Sequence, residues 1–251
     1  MGDDCFEIFV ARHGQSEGNV RRRQGVDSSQ LEDVVREDPP LTEAGRKQVQ
    51  LLGQLLKNVK FDAFFASPLQ RAAETAYEVM LAQADNERHG NKIILLDELL
   101  EVGVMEGFLG RGTDYLKEKF PLADFVYERS EEHPTPSKLE REDMNVSIHR
   151  ARCAIEYIKS KFTFGQTVFI ATHGTYLTSF LYAALGLDAD SRFRLGCSNS
   201  SFNRIKYNTE GKIYLEAAND VSHLRMWAPE LLPLSRSLEA EKSKDENNPL
   251  F

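Results

Sequence analysis

The sequence predicts an α/β protein, a three-layer α/β/α sandwich with a mostly parallel central sheet. Two observations carry this. Short apolar runs alternate with stretches of helical periodicity, the pattern of strands joined by helices that cover both faces of a sheet. Two of those runs also end alike, in His-Gly, at positions 13 and 173. Sites in open α/β sheets are built at strand tips, so the echo marks the end of the sheet where chemistry belongs. A chain of 251 residues accommodates one large domain, read as 1–234, followed by a polar tail at 235–251.

The first strand is Phe6 to Ala11, and it runs into Arg12-His13-Gly14-Gln15-Ser16-Glu17-Gly18-Asn19. An unprotonated imidazole nitrogen can attack phosphorus, and an adjacent guanidinium can hold phosphoryl oxygens bidentately. Gly14 is expected to let the backbone pass close to a ligand. Val20 to Pro40 reads as loop or short irregular helix. It opens with Arg21-Arg22-Arg23, for which a solvated face and a substrate contact are equally good readings. Thr42 caps a helix whose apolar stripe is Val49, Leu52, Leu55, Leu56 and Val59.

Phe61 to Ala66 is the second strand. Ser67, Pro68 and Gln70 then form a capping-box start, and Ala72, Ala73, Ala76, Val79 and Met80 continue the helix. Arg71 falls in the first turn, where a cation opposes the helix dipole unless an anion is bound nearby. Lys92 to Leu96 is the third strand, leading to Asp97-Glu98-Leu99-Leu100-Glu101-Val102-Gly103 and to Glu106-Gly107. A short helix is expected over Thr113 to Phe120, and an exposed excursion over Phe125 to Lys138. The whole segment 107–140 is read as an insertion that caps the substrate site.

Met144, Ile148, Ala151, Ile155, Ile158 and Phe162 define a long amphipathic helix, with His149 and Arg150 off the stripe and expected in solvent. Thr167 to Ala171 is the fourth strand and ends in Thr172-His173-Gly174-Thr175. The next helix runs through Leu177, Phe180, Leu181 and Leu185 to a stop at Gly186. Ser200 to Tyr207 and Lys212 to Leu215 form a hairpin turned by Asn208-Thr209-Glu210-Gly211. His223 reads as a structural hydrogen-bonding residue. Histidines at the tips of two parallel strands are expected to face each other.

Composition bounds the partners. Hydrophobic residues make up 41% and charged residues 28%, with a net charge of -8. An acidic chain is poorly suited to bulk nucleic-acid binding, yet local arginines can make one pocket positive. Cys5, Cys153 and Cys197 are odd in number and lack a Cys-x-x-Cys pair, which indicates a reduced, cytoplasmic protein with the thiols packed as small hydrophobes. The start of the chain lacks the basic and apolar pattern of a secretory signal. No run approaches roughly 18 consecutive apolar residues, so no membrane span is expected. A zinc site would need further ligands at recognisable spacing, and none accompanies the two histidines. Neither metal nor cofactor is expected.

Taken together, Arg12 to Asn19, Leu41-Thr42-Glu43-Ala44-Gly45, Ser67-Pro68-Leu69-Gln70-Arg71-Ala72-Ala73-Glu74-Thr75-Ala76, Leu99-Leu100-Glu101 with Glu106-Gly107, and Thr172-His173-Gly174 resemble the histidine phosphatase superfamily. That group contains cofactor-dependent phosphoglycerate mutase and many small phosphatases, and the resemblance runs from about Phe6 to Leu224. It implies a phosphoglycerate mutase-like fold and a phosphohistidine intermediate. His13 is then the nucleophile, with Arg12, Arg71 and a protonated His173 completing the phosphate pocket. Asn19 and the backbone near Gly174 and Thr175 add hydrogen bonds. Glu101 donates the proton to the leaving group, with Glu98 and Glu106 as rivals. The cationic side chains take the place of a metal.

A phosphatase and a mutase share such a pocket. Phosphoglycerate mutases carry Asn-x-x-x-Arg-Phe-Thr-Gly-Trp after the histidine motif, and Asn19 to Val26 departs from it. Leu99 to Gly103 also lacks their Arg-His-Tyr. The expectation is therefore a phosphomonoester hydrolase, with a mutase second and a binding or scaffold protein third. Arg21, Arg22, Arg23 and Arg111 leave room for a second phosphate or carboxylate on a small phosphorylated substrate. Phosphopeptides and phosphoproteins stay open as substrates. Dimerisation is common in the resembled family, so a homodimer is also open.

Overall fold

The structure is a computed structural model that describes residues 5–27, 29, 31–83, 89–104, 108–128, 142–193 and 195–232. Its strands are β1 (Cys5–Arg12), β2 (Ala63–Ala66), β3 (Lys92–Leu95), β4 (Asp124–Tyr127), β5 (Thr167–Thr172), β6 (Phe202–Asn208) and β7 (Ile213–Asp220). Its helices are α1 (Glu17–Arg23), α2 (Asp33–Glu37), α3 (Glu43–Leu56), α4 (Gln70–Leu81), α5 (Thr113–Lys119), α6 (Met144–Lys161), α7 (Gly174–Leu185) and α8 (Ser222–Trp227).

The strands form one sheet in the order β4-β3-β2-β5-β1-β6-β7. The neighbours from β4 to β1 pair in parallel, and β6 and β7 close the other edge antiparallel. Strand alternation sorts β1 onto two cores. Phe9 and Ala11 pack with α3, α4 and α5, whereas Phe6, Ile8 and Val10 pack with α6 and α7. That division gives the three expected layers. β1 and β5 are central neighbours, with Arg12 opposite Thr172. The residues that follow these strands therefore meet at one point.

Leu41-Thr42-Glu43-Ala44-Gly45 locks this point from outside. Thr42 N–H donates to Gln15 O at 2.9 Å, and its hydroxyl caps α3 by accepting from Gly45 N–H at 3.0 Å. A Cβ on Gly45 would lie 2.0 Å from Gln15 O, and one on Gly14 would lie 2.5 Å from Gly45 O. The close approach that demands glycine at position 14 is thus to the first turn of α3.

Other expectations are corrected. Asp124 to Tyr127, within the stretch read as an exposed excursion, is an edge strand paired with β3. Four residues of 107–140 therefore extend the sheet, while 107 and 129–140 lie outside the described residues, as does the tail 235–251. Helix α4 starts at Gln70 and has no side-chain cap of its own. Ser67 is turned to other work, and Asp38 supplies the oxygen that accepts from Gln70 N–H at 2.8 Å. Arg150 is buried on α6, not solvated. Gly186 ends α7 in the left-handed conformation at φ 68°, as expected.

Candidate active site

His13 leaves the tip of β1 with its N–H on Thr172 O at 2.9 Å. Its ring Nδ1–H donates to the carbonyl of Gly14 at 2.6 Å. That contact fixes the tautomer and leaves Nε2 as the unprotonated nitrogen. The His13 carbonyl accepts from Ser200 N–H at 3.1 Å and from Asn199 Nδ2 at 3.2 Å. Ser200 Oγ in turn lies 2.9 Å from His223 Nε2, and burial pushes His223 down to about 4. His223 thus buttresses the loop behind His13.

His173 follows β5, and its ring centroid lies 5.3 Å from that of His13. Its Nε2 lies 2.7 Å from Ser67 Oγ, which explains why Ser67 does not cap α4. Arg12 donates to Cys197 O at 2.6 Å and lies against Gly174, where a Cβ would come within 3.0 Å of Arg12 Nε. Arg71 donates to Glu37 O at 2.9 Å and stands 3.8 Å from Asp38 Oδ1. The carboxylate of Asp38 therefore answers both the helix terminus and the misplaced cation. Among the described residues, Arg12 Nε and His173 Nδ1 are buried with no hydrogen-bond partner. Unpartnered buried polar atoms are rare, and two in one cationic pocket mark a place built for an anion.

Burial, then Arg71 and its neighbours, hold both His13 and His173 well below the ordinary imidazole range. Both rings are therefore held in the neutral form near neutral pH. A protonated His173, as expected for the phosphate-bound site, is favoured only with an anion beside it to offset burial and the arginines. Both folded pKa values lie below the unfolded ones, so the folded state binds fewer protons. The stability tied to these groups is present above the ordinary histidine pKa and lost as pH falls through it. Sulfate, which does not titrate near neutrality, is expected to bind with uptake of up to about one proton per site at pH 6.5. Calorimetry in buffers of different ionisation heat measures this, and His173→Asn abolishes the uptake if His173 is the acceptor.

Glu101 follows the 3-10 turn Asp97–Leu99. Its carboxylate accepts from Val102 N–H at 3.0 Å and Tyr176 N–H at 2.9 Å, with Thr175 N–H at 3.4 Å. Glu101 thus lies at the start of α7, beside the Gly174 and Thr175 backbone expected to contact phosphate. Glu101 lines the cleft and Glu98 does not, while Glu106 lies outside the described residues.

The cleft has a volume of about 1160 Å³ and also takes in Asn19, Gly174, Thr175, Arg21 and Arg22. Asn19 Oδ1 is already engaged by Ser16 N–H and Asn199 Nδ2, which leaves its own amide N–H groups for a ligand. Arg23 is not among the lining residues, because successive positions on α1 point in different directions. Arg111 sits behind the pocket, 3.9 Å from Asp38 Oδ2 and stacked on Tyr115. The sequence reading missed Asp38, Cys197 and Asn199. Asp38-Pro39-Pro40 just before a helix cap was the one available signal.

Two neutral histidines, two arginines and a carboxylate at the tips of a parallel sheet define a phosphoryl-transfer site. The sequence profile of the histidine phosphatase superfamily (branch 1) matches residues 8–220. The chain belongs to that superfamily and is a phosphoric monoester hydrolase of its kind. It is similar to phosphoserine phosphatase 1 of Hydrogenobacter thermophilus, 29% identical over 222 residues that cover 87% of this chain and 94% of the relative. It is also similar to a probable phosphoglycerate mutase, GpmB, of Photorhabdus laumondii, 30% identical over 228 residues, covering 87% and 95%. The solved structure of Bacillus stearothermophilus YhfR superposes with a TM-score of 0.60 at 26% identity, covering 87% of this chain and 99% of that one. Among the described residues no helix is long and apolar enough to cross a membrane, and no group of three or more metal-ligating side chains occurs.

Proposed function

We propose that the protein hydrolyses a small phosphorylated metabolite through a phosphohistidine on His13, using side-chain cations instead of a metal. The supporting observation is the tautomer lock. With Nδ1–H held by Gly14 O, His13 presents Nε2 beside Arg12 and Arg71. The Nε2 lone pair attacks phosphorus and the P–O ester bond breaks. Its electron pair leaves on the alcohol oxygen, which takes a proton from Glu101. Arg12, Arg71 and His173 hold the three equatorial oxygens. Water then attacks phosphorus and loses a proton to Glu101, and the P–N bond breaks to release phosphate.

Arg21 and Arg22 on the cleft wall favour a substrate with a second anionic group. Three free thiols accord with a cytoplasmic location. The relative named a probable mutase supports a second reading, in which the phosphoryl group returns to another oxygen of the same molecule. An aryl phosphate assayed at pH 5 to 8 with chelator tests the proposal. Sustained release of inorganic phosphate is the expected result. A phosphoenzyme that resists water and gives up its phosphoryl group only to an oxygen of a phosphorylated acid would favour the mutase.

A further inference from the structure

We infer that Arg150, which does not line the cleft, is a positioning residue for Glu101. The inference rests on the proton-donor role proposed for Glu101 above.

Arg150 is only 4% exposed, and its three guanidinium nitrogens donate four hydrogen bonds. Nε and Nη2 grip the two oxygens of Glu142 at 2.6 and 2.7 Å. Nη1 donates to the carbonyls of Glu98 and Leu100, both at 2.8 Å. The Leu100 carbonyl belongs to the peptide bond that enters Glu101, so this contact fixes the backbone from which the carboxylate hangs. The guanidinium also lies 4.3 Å from the centroid of the Tyr176 ring. Tyr176 N–H holds Glu101 Oε1 at 2.9 Å. One side chain on α6 thus sets both attachments of Glu101, the peptide before it and the helix terminus that orients its carboxylate.

The chemistry selects arginine for this place. A planar fork can bind a carboxylate edge-on, reach two carbonyls and stack on a ring at once, whereas an ammonium cannot. Glu142 is buried as well, so the pair is neutral and costs less to bury than either charge alone. A proton donor displaced by about 1 Å loses much of its effect on the reaction it serves.

The test exploits the leaving group. p-Nitrophenolate departs without a proton, whereas an alkoxide needs one. In Glu101→Gln, kcat/KM for an alkyl phosphate is expected to fall about 10²-fold or more beyond any loss on p-nitrophenyl phosphate. Arg150→Lys, which keeps the charge facing Glu142, is expected to show the same selectivity at about 10-fold. Glu142→Gln, which frees the guanidinium to move, shifts the ratio in the same direction. In the Glu101→Gln background, Arg150→Lys adds no further selectivity, because it acts through the missing acid. An equal loss on both substrates in Arg150→Lys, with selectivity intact in Glu101→Gln, overturns the positioning role and leaves Arg150 a stabilising residue. Absence of selectivity in Glu101→Gln itself removes the proton-donor role of Glu101, and the inference falls with it.

Discussion

His13→Ala is expected to lower kcat by at least about 10⁴-fold, the scale on which covalent catalysis fails when its nucleophile is removed. The pocket should still bind an oxyanion. Arg12 is anchored by Cys197 O and Arg71 by Glu37 O, and neither depends on the His13 ring. Binding of sulfate or phosphate should therefore change by less than about tenfold while turnover disappears. Acid-quenched labelling completes the measurement. The wild type should carry an acid-labile phosphoryl group on nitrogen, and the variant none. A residual rate within about tenfold of wild type would mean that water attacks the ester directly, with His13 as a base. The pH profile offers an independent check. Burial and the two arginines keep His13 neutral well below the ordinary imidazole range, so its titration should not set the acid limb of kcat/KM near pH 6.5.

The residues whose meeting was legible in the sequence share one property. His13 and His173 each end an apolar run, so a local pattern announces both the strand and its tip. Their meeting needed only the inference that the two runs share one parallel sheet, and β1 beside β5 satisfies it. The failures concern partners that are distant in sequence. Asp38 lies in a stretch without periodicity, and its contact with Gln70 spans 32 positions. Arg150 was placed in solvent because helical periodicity identifies an apolar stripe but cannot distinguish a buried cation from an exposed one; only Glu142 and the Glu98 and Leu100 carbonyls make its burial tolerable. Asp124 to Tyr127 was missed because a four-residue edge strand beside a charged stretch carries too little alternation to count. The chain therefore announced which groups meet at the strand tips, and hid what holds them in place.

Arg71 belongs to both categories, and a pair of variants separates them. Arg71→Gln removes one of the two guanidinium groups beside His13, and kcat/KM is expected to fall about 10³-fold, as when a preorganised donor to developing charge is lost. The same change takes a countercharge from Asp38, whose carboxyl is fully buried and already pushed up to about 6 by burial. Arg71, the Gln70 N–H, Arg111 and Lys119 all hold that value down. The folded pKa exceeds the unfolded one, so ionisation of Asp38 opposes folding. Its contribution is most favourable at low pH and is lost as pH rises through about 6. Without Arg71 the value rises further and the loss extends to higher pH. Arg71→Gln should thus be near wild-type stability at pH 5 and less stable by roughly 3 kcal/mol at pH 8. Asp38→Asn in the same chain preserves an oxygen for Gln70 N–H while removing the charge. The double variant should regain most of the lost stability at pH 8 and none of the lost activity. Recovery of both would reduce Arg71 to the countercharge of Asp38 and remove it from the phosphate pocket. Recovery of stability alone would leave Arg71 with two separable duties, one to the fold through Asp38 and one to the phosphoryl group beside His13.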